Sequence, residues 1–340
     1  MNDIFTNLFI DSQVKICIIY LFLSYLHILL VIFLLFNINI AMEEKEFIND
    51  IDNERADAAC ARLSGKSRSY ILSLFEDNLI LINNKPAKKS TKLKSGDIIH
   101  ITFKEEPQID LTPKNIPFDI IYDNENFAVI NKPAGLTVHP APGNYDNTLV
   151  NALLYTFTIE DDNDEFRPGI VHRLDKDTSG LMIIAKNSAY KMLLSDIFLN
   201  RNITKKYLAI CHGTPKFMEK TIEAPIGRDK YNRQKMAVRD DGRYAKSFFK
   251  VIEKYKNAFL AEVTIFTGRT HQIRVHAASI NHPLVGDTLY GGRALYGFSR
   301  QALHSYFLEF TPPKSDEVLS LSLQLPKDMV ALQENLLSEK

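Results

Sequence analysis

From Ile116 onward the chain is a succession of short stretches in which β-branched and aromatic residues alternate with polar ones, among them KKYLAICHG, AKSFFKVIEKY and NAFLAEVTIF. Alternation of period two sets one face of each strand against a core and the other toward solvent. FDIIYDNENFAVINKP (118–133) reads as two strands joined by an Asn/Asp turn, and LMIIAK (181–186) as a buried strand. Helical spacing is read in NTLVNALLYTF, in the stripe Ala189, Leu193, Leu194, Ile197 and Phe198, and in THQIRVHAASI. Strands with so few helices between them do not build the regular βαβ unit of a doubly wound or barrel fold. They predict an α+β domain on a mixed, mainly antiparallel sheet. Neither a GxGxxG nor a P-loop is present, which argues against the nucleotide cofactors those motifs bind.

With 340 residues, 45% hydrophobic and 24% charged, the chain has material for about two domains. The smaller one is expected over 48–104, where ADAACARLS and SRSYILSLFED have helical spacing and LILIN and DIIHITF read as strands around a Gly96-Asp97 turn. EEPQIDLTPKN (105–115) is polar, contains two prolines and reads as a linker, so the larger domain is expected over 116–335. Residues 1–41 differ from both: the first Gly is Gly65, the first Pro is Pro86, and no charge lies between Lys15 and Glu43. Ile16–Phe36 is long enough to cross a bilayer. Few basic residues flank it and no small-residue cleavage site follows. Its Phe, Ile, Leu, Asn and Tyr are what AT-rich codons yield. Met42 is therefore the expected start, with a membrane anchor at 16–36 as the alternative.

Cys17, Cys60 and Cys211 stand far apart without CxxC or zinc-ligand spacing, and no HExxH pair occurs, so neither a disulfide framework nor a metal site is expected. A reducing, cytoplasmic setting fits. Lys+Arg and Asp+Glu are both 41, and this neutral total hides a polar distribution. Residues 78–96 hold five lysines and no acid, and Arg62, Lys66 and Arg68 of the preceding helical stretch have no acid among them. Residues 201–246 hold twelve Lys/Arg against five Asp/Glu, interleaved with Tyr207, Phe217, Tyr231 and Tyr244. Cations among aromatics suit RNA, whose phosphates pair and whose bases stack; the alternative is a basic surface whose aromatics belong to the core.

The most informative stretch is RPGIVHRLDKDTSGLMIIAK (167–186), in which Asp175 follows Arg173 by two residues and precedes Thr178-Ser179-Gly180. It resembles the HRLDxxTSG signature of the RluA family of pseudouridine synthases. NKPAGLTVHP, KKYLAICHG, TGRTHQIRVH, HPLVGDTLYGG and RQALH follow the family order. RADAACARLSGKSRSYI and the turn at Asn83-Asn84 resemble an S4 RNA-binding domain, so the likeness spans about 48–335. HPAPGNYDNTLVNALL looks most like the subfamily that modifies large-subunit ribosomal RNA, the D type. Two departures stand out. Asn84 replaces the usual Gly of the turn, which Asn tolerates because it enters the left-handed region. The segment between Gly292 and Arg300 is shorter than in some relatives, which bears on target choice.

The resemblance implies an RNA pseudouridine synthase with Asp175 as nucleophile on the sugar or as the base that removes a sugar proton; both routes stay open. Either needs an ionised carboxylate in a site that excludes water, hence a cation held close. The family supplies it at Arg274, an active-site tyrosine at Tyr207 that stacks on uracil, and Arg173 entering the space left by the flipped nucleotide or contacting phosphate. Arg62, Arg68, Lys85, Lys88, Lys89, Lys132 and Arg269 are further expected RNA contacts. His172, His271 and His276 are expected to be structural hydrogen-bonders. The implied partners are ribosomal RNA carrying the substrate uridine and the assembling large ribosomal subunit, with no cofactor, and the chain is expected to be a monomer. Transfer RNA as substrate, or a noncatalytic ribosome-assembly role, are the alternatives.

Overall fold

The computed structural model of the chain describes residues 43–104, 110–140, 144–160, 167–232 and 234–339; the run Ile16–Phe36 and the start at Met42 lie outside them. Among the described residues no helix is long and apolar enough to cross a membrane. The chain divides into two compact units, one ending at Pro107 and one beginning at Gln108.

The first unit runs β1 (Glu43–Ile48), β2 (Glu54–Arg55), α1 (Ala56–Ser64), α2 (Arg68–Glu76), β3 (Ile80–Ile82), β4 (Lys85–Pro86), β5 (Lys92–Leu93) and β6 (Ile98–Phe103). Its four-stranded sheet has the order β1-β6-β3-β4, with β2 and β5 paired separately. Ala56, Ala59 and Cys60 of α1 and Ile71, Leu74 and Phe75 of α2 close on Ile80, Ile99 and Ile101. Asn83 and Asn84, at φ 49° and 60°, form the two-residue turn between β3 and β4. Two positive φ values in succession are what a hairpin of that length needs, and Asn supplies them as the sequence suggested. β1 lies upstream of the boundary drawn at Ile48. Its EEKEFI run is almost wholly exposed, so no apolar alternation announces it, and its ladder with β6 makes it a strand.

The second unit adds β7 (Asp119–Asp123), β8 (Phe127–Lys132), α3 (Leu149–Thr156), β9 (Ser179–Ala185), α4 (Ser188–Leu199), β10 (Ile203–His212), β11 (Glu219–Glu223), β12 (Ile226–Arg228), β13 (Met236–Val238), β14 (Lys246–Lys254), β15 (Ala258–Ile265), α5 (Gln272–Ser279), β16 (Leu303–Phe310), β17 (Leu319–Ser322) and α6 (Lys327–Ser338). Its nine-stranded sheet has the order β11-β14-β15-β10-β16-β9-β8-β7, with β17 beside β16 and β12–β13 a separate hairpin. Every pairing is antiparallel except a short parallel step of β16 on β9, so the mixed, mainly antiparallel α+β sheet read from the alternation is the one found.

Both faces of the central strands are covered. In β8 and β9, Ala128, Ile130, Met182 and Ile184 pack on Leu149 and Leu153 of α3, while Phe127, Val129, Leu181 and Ile183 pack on Tyr190 and Leu194 of α4. Such continuous apolar runs are what strands buried on two sides require. Met329, Leu332 and Leu336 of α6 seal a third cluster against Ile210 and Leu260. The polar stretch read as a linker is only partly one: Asp110 and Thr112 offer their carbonyls to Asn151 Nδ2 at 2.7 and 3.0 Å, and Lys114 pairs with Asp146 at 2.8 Å. Residues 105–109 of that stretch lie outside the described residues, and polar composition does not announce that 110–114 are tied down by these hydrogen bonds.

Candidate active site

Asp175 opens a tight turn in which Thr178 N–H donates to the Asp175 carbonyl at 3.1 Å, and Ser179 then enters the central sheet. The turn is held from three sides. Lys132 Nζ donates to the Lys176 carbonyl at 2.9 Å, Arg300 Nη1 to the Asp177 carbonyl at 3.0 Å, and Gln301 Nε2 to Thr178 Oγ1 at 3.2 Å. Ser179 Oγ lies 2.9 Å from His304 Nδ1. Gly180 sits at φ 115°, and a Cβ there would come within 2.2 Å of the Ser305 carbonyl, so only glycine lets β9 meet β16. The blocks NKPAG, DTSG and RQALH are thus one scaffold for one carboxylate.

Facing it is α5. Gln272 accepts from Thr267 Oγ1 and from Arg269 N–H at 2.6 and 3.1 Å, which shapes the TGRTHQ turn. Two residues on, Arg274 Nη1 donates to Asp175 Oδ2 at 3.0 Å, while its Nε and Nη2 reach Asp287 Oδ2 and Oδ1 at 2.7 and 2.8 Å. Burial alone would lower the guanidinium pKa, but hydrogen bonds and charge from Asp287 and Asp175 more than reverse this and raise it. The guanidinium also lies 5.1 Å over the Tyr290 ring.

Tyr207 reaches the same cavity from β10, at a register shift between Lys206 and Tyr207 against β16, the kind of bulge that re-aims a side chain beside a site. Burial pushes its phenol up to about 12. Arg173, Tyr207, His271, Arg274 and Asp175 line one opening of about 560 Å³, counting the part open to solvent. Arg173 is exposed, its Nη1 3.4 Å from His139 Nε2, and Arg269 borders the cavity with its Nε on the Tyr244 carbonyl at 3.0 Å.

The other expected RNA contacts divide. Lys85, Lys88 and Lys89 are exposed. Lys132 is not an RNA contact: it is fully buried, its ammonium gives hydrogen bonds to the carbonyls of Pro133, Leu136 and Lys176, and burial lowers its pKa to about 7. Arg62 and Arg68 spend their charge within their own unit, Arg62 on Asp50 and Glu54 at 2.7 and 2.8 Å and Arg68 on Asp57 at 2.8 Å. The aromatics of 201–246 divide too, with Tyr207 and Phe217 in the core, Tyr231 96% exposed and Tyr244 45%. His172 accepts the Ile183 N–H at 2.8 Å, and His276 bonds Ser247 Oγ and the Ala224 carbonyl, both structural roles as expected. Asp287 and Tyr290 were not singled out from the sequence; the signal was a carboxylate and a phenol inside the HPLVGDTLYGG block. Among the described residues no cluster of three His, Cys, Asp or Glu side chains is placed to hold a metal ion.

Comparison with known proteins agrees with this geometry. The family model described as RNA pseudouridylate synthase matches residues 126–279, which include Asp175, Tyr207 and Arg274. The protein named Uncharacterized RNA pseudouridine synthase YlyB of Bacillus subtilis (strain 168) is 42% identical over 271 residues, 79% of this chain and 89% of that protein. Ribosomal large subunit pseudouridine synthase D of Zymomonas mobilis subsp. mobilis is 43% identical over 253 residues, 71% of this chain and 80% of that protein. The solved structure titled Human RNA Pseudouridylate Synthase Domain Containing 1 superposes with a TM-score of 0.51 at 26% identity, covering 66% of this chain and 96% of that one. A carboxylate held by a buried arginine on this sheet, and sequence identity that runs through most of the chain, lead to one assignment: the chain belongs to the RNA pseudouridylate synthase family, isomerases that act on RNA.

Proposed function

We propose that the protein converts uridine to pseudouridine in large-subunit ribosomal RNA, with Asp175 as the catalytic carboxylate. The observation that carries this is the contact of 3.0 Å between Asp175 Oδ2 and Arg274, a guanidinium whose other edge is locked on Asp287. A carboxylate kept beside a fixed cation can attack C1′ or take the C2′ proton while shielded from water. In either route the N1–C1′ bond breaks, the uracil turns, C5 bonds to C1′, and the C5 proton leaves as N1 gains one. Tyr207, kept a neutral phenol by burial, offers a ring face to the uracil and a hydroxyl that can relay the C5 proton. Arg173, exposed and lining the same cavity, fills the gap left by the flipped nucleotide in this reading.

Ribosomal RNA is favoured over transfer RNA by the relatives named Ribosomal large subunit pseudouridine synthase D, several of them near 40% identical. The first unit then serves as the S4-type RNA-binding domain, with the exposed Lys85, Lys88 and Lys89 among its cations for phosphate, and the enzyme works as a cytoplasmic monomer on the assembling large subunit. A pseudouridine map of total RNA from cells with and without the protein, and with Asp175→Asn in its place, tests the reading. Uridines in large-subunit ribosomal RNA should lose the modification in both the deletion and the variant. Turnover retained by purified Asp175→Asn would remove the catalytic assignment.

A further inference from the structure

His271 stands at φ 55°, in the left-handed region that non-glycine residues seldom enter, and borders the Asp175 cavity. Its Nδ1 lies 2.8 Å from the Tyr290 hydroxyl, whose oxygen already accepts the Met236 N–H at 2.8 Å. Burial pushes the Tyr290 phenol up to about 12, so the hydroxyl keeps its proton and directs it at Nδ1. Nδ1 is then the acceptor, and the neutral imidazole carries its hydrogen on Nε2. Burial lowers the His271 pKa although the Asp175 charge pulls the other way, which keeps the ring neutral near pH 7. Nε2 lies 4.0 Å from Asp175 Oδ1. That is too far for a hydrogen bond, and it leaves room for a substrate atom to sit against both groups.

We propose that His271 is a further catalytic residue: its Nε2–H donates to the uracil carbonyl O2 beside the breaking N1–C1′ bond, and Tyr290 is the positioning residue that sets this tautomer. The proposal rests on Asp175 being the catalytic carboxylate. When N1–C1′ breaks, the electron pair stays on uracil and its charge spreads from N1 to O2. A neutral N–H stabilises that charge without surrendering its proton, so the base stays an anion able to attack C1′ through C5. A donor aimed in advance at developing charge is the arrangement that lowers a barrier most. Tyr290 also joins the β12–β13 hairpin to the site, since the Met236 amide that fills its oxygen belongs to β13.

Single-turnover rates on an RNA oligonucleotide containing a uridine the enzyme modifies, compared with the same RNA carrying 2-thiouridine or 2′-deoxyuridine there, test this. His271→Ala should slow uridine conversion about 100-fold, the usual effect of losing one such donor, while RNA binding stays within threefold. The 2-thio substitution should slow wild type yet add little to His271→Ala. Tyr290→Phe keeps the ring over Arg274, should slow the reaction about tenfold and blunt the 2-thio effect in the same way, and so decides the matter if His271→Ala fails to fold. Losses from variant and 2-thio substrate that multiply would overturn the O2 contact, and merging with the 2′-deoxy loss instead would overturn it in favour of the ribose hydroxyl. An inactive wild type would fell the parent reading and this one with it.

Discussion

Arg274 turns its Nε and Nη2 edge to Asp287, at 2.7 and 2.8 Å, and this leaves Nη1 as the donor for Asp175. A two-point contact fixes the guanidinium plane as a single contact could not. Asp287→Ala would leave a buried cation with one partner less, a change that costs about 3–5 kcal/mol. Urea unfolding should show that loss, and single-turnover conversion should fall more than tenfold with RNA affinity nearly unchanged. Turnover within twofold of wild type would mean that Asp175 alone orients Arg274.

Gly180 combines φ 115° with a Cβ position 2.2 Å from the Ser305 carbonyl, a backbone atom in a paired strand that has little room to yield. Gly180→Ala should destabilise the second unit by more than ~3 kcal/mol, the scale of overpacking added to an unfavourable backbone conformation. Its effect on turnover should follow, because the Asp175 turn enters the sheet at this residue. A thermal transition unchanged within 2 °C would contradict the argument.

Acid should weaken the fold through two histidines. Burial lowers His172 to about 3 and His304 to about 4, and His172 Nε2 is committed to accepting the Ile183 N–H. In the unfolded chain both titrate near 6.5. Between those values the unfolded state binds protons that the folded state refuses, so stability is lost as pH falls through 6.5. From pH 7 to pH 5 the pair should remove roughly 4 kcal/mol. Urea midpoints across that range measure it, and His172→Gln should flatten about half of the dependence.

Lys85, Lys88 and Lys89 are exposed, whereas Arg62 and Arg68 are bound to acids of their own unit. Replacing the three lysines with alanine should weaken RNA binding and reduce the slope of log K against log salt by about 2–3, with the unfolding midpoint unchanged. Arg62→Ala should do the reverse, moving stability more than the salt slope. Equal slopes for the lysine variant and wild type would place RNA elsewhere.

Much of the site could be read because its parts are short and local. The blocks carrying Asp175 and Arg274 are contiguous motifs that resemble a family's, although the turn from Asp175 to Gly180 is itself held by Lys132, Arg300 and Gln301 from distant parts of the chain. The Asn83-Asn84 turn is legible for a local reason, since conformational preference belongs to the residue itself. β1 was missed because an exposed edge strand needs only backbone pairing, which leaves no apolar pattern.

Charge was the quantity that sequence could count but not assign. Lys132 and Lys85 are the same side chain, yet one is buried on three carbonyls and the other meets solvent. Arg274 finds Asp175 across 99 residues of chain, and no local rule selects that pair. The sequence by itself determined the strand alternation and the turns, because these follow from covalent structure and near neighbours, and it pointed to the candidate reactive groups through motifs that resemble a family's. The tertiary structure alone decided which cations stand exposed and which hold the candidate site together, because burial and ion pairing are set by what the folded chain brings close.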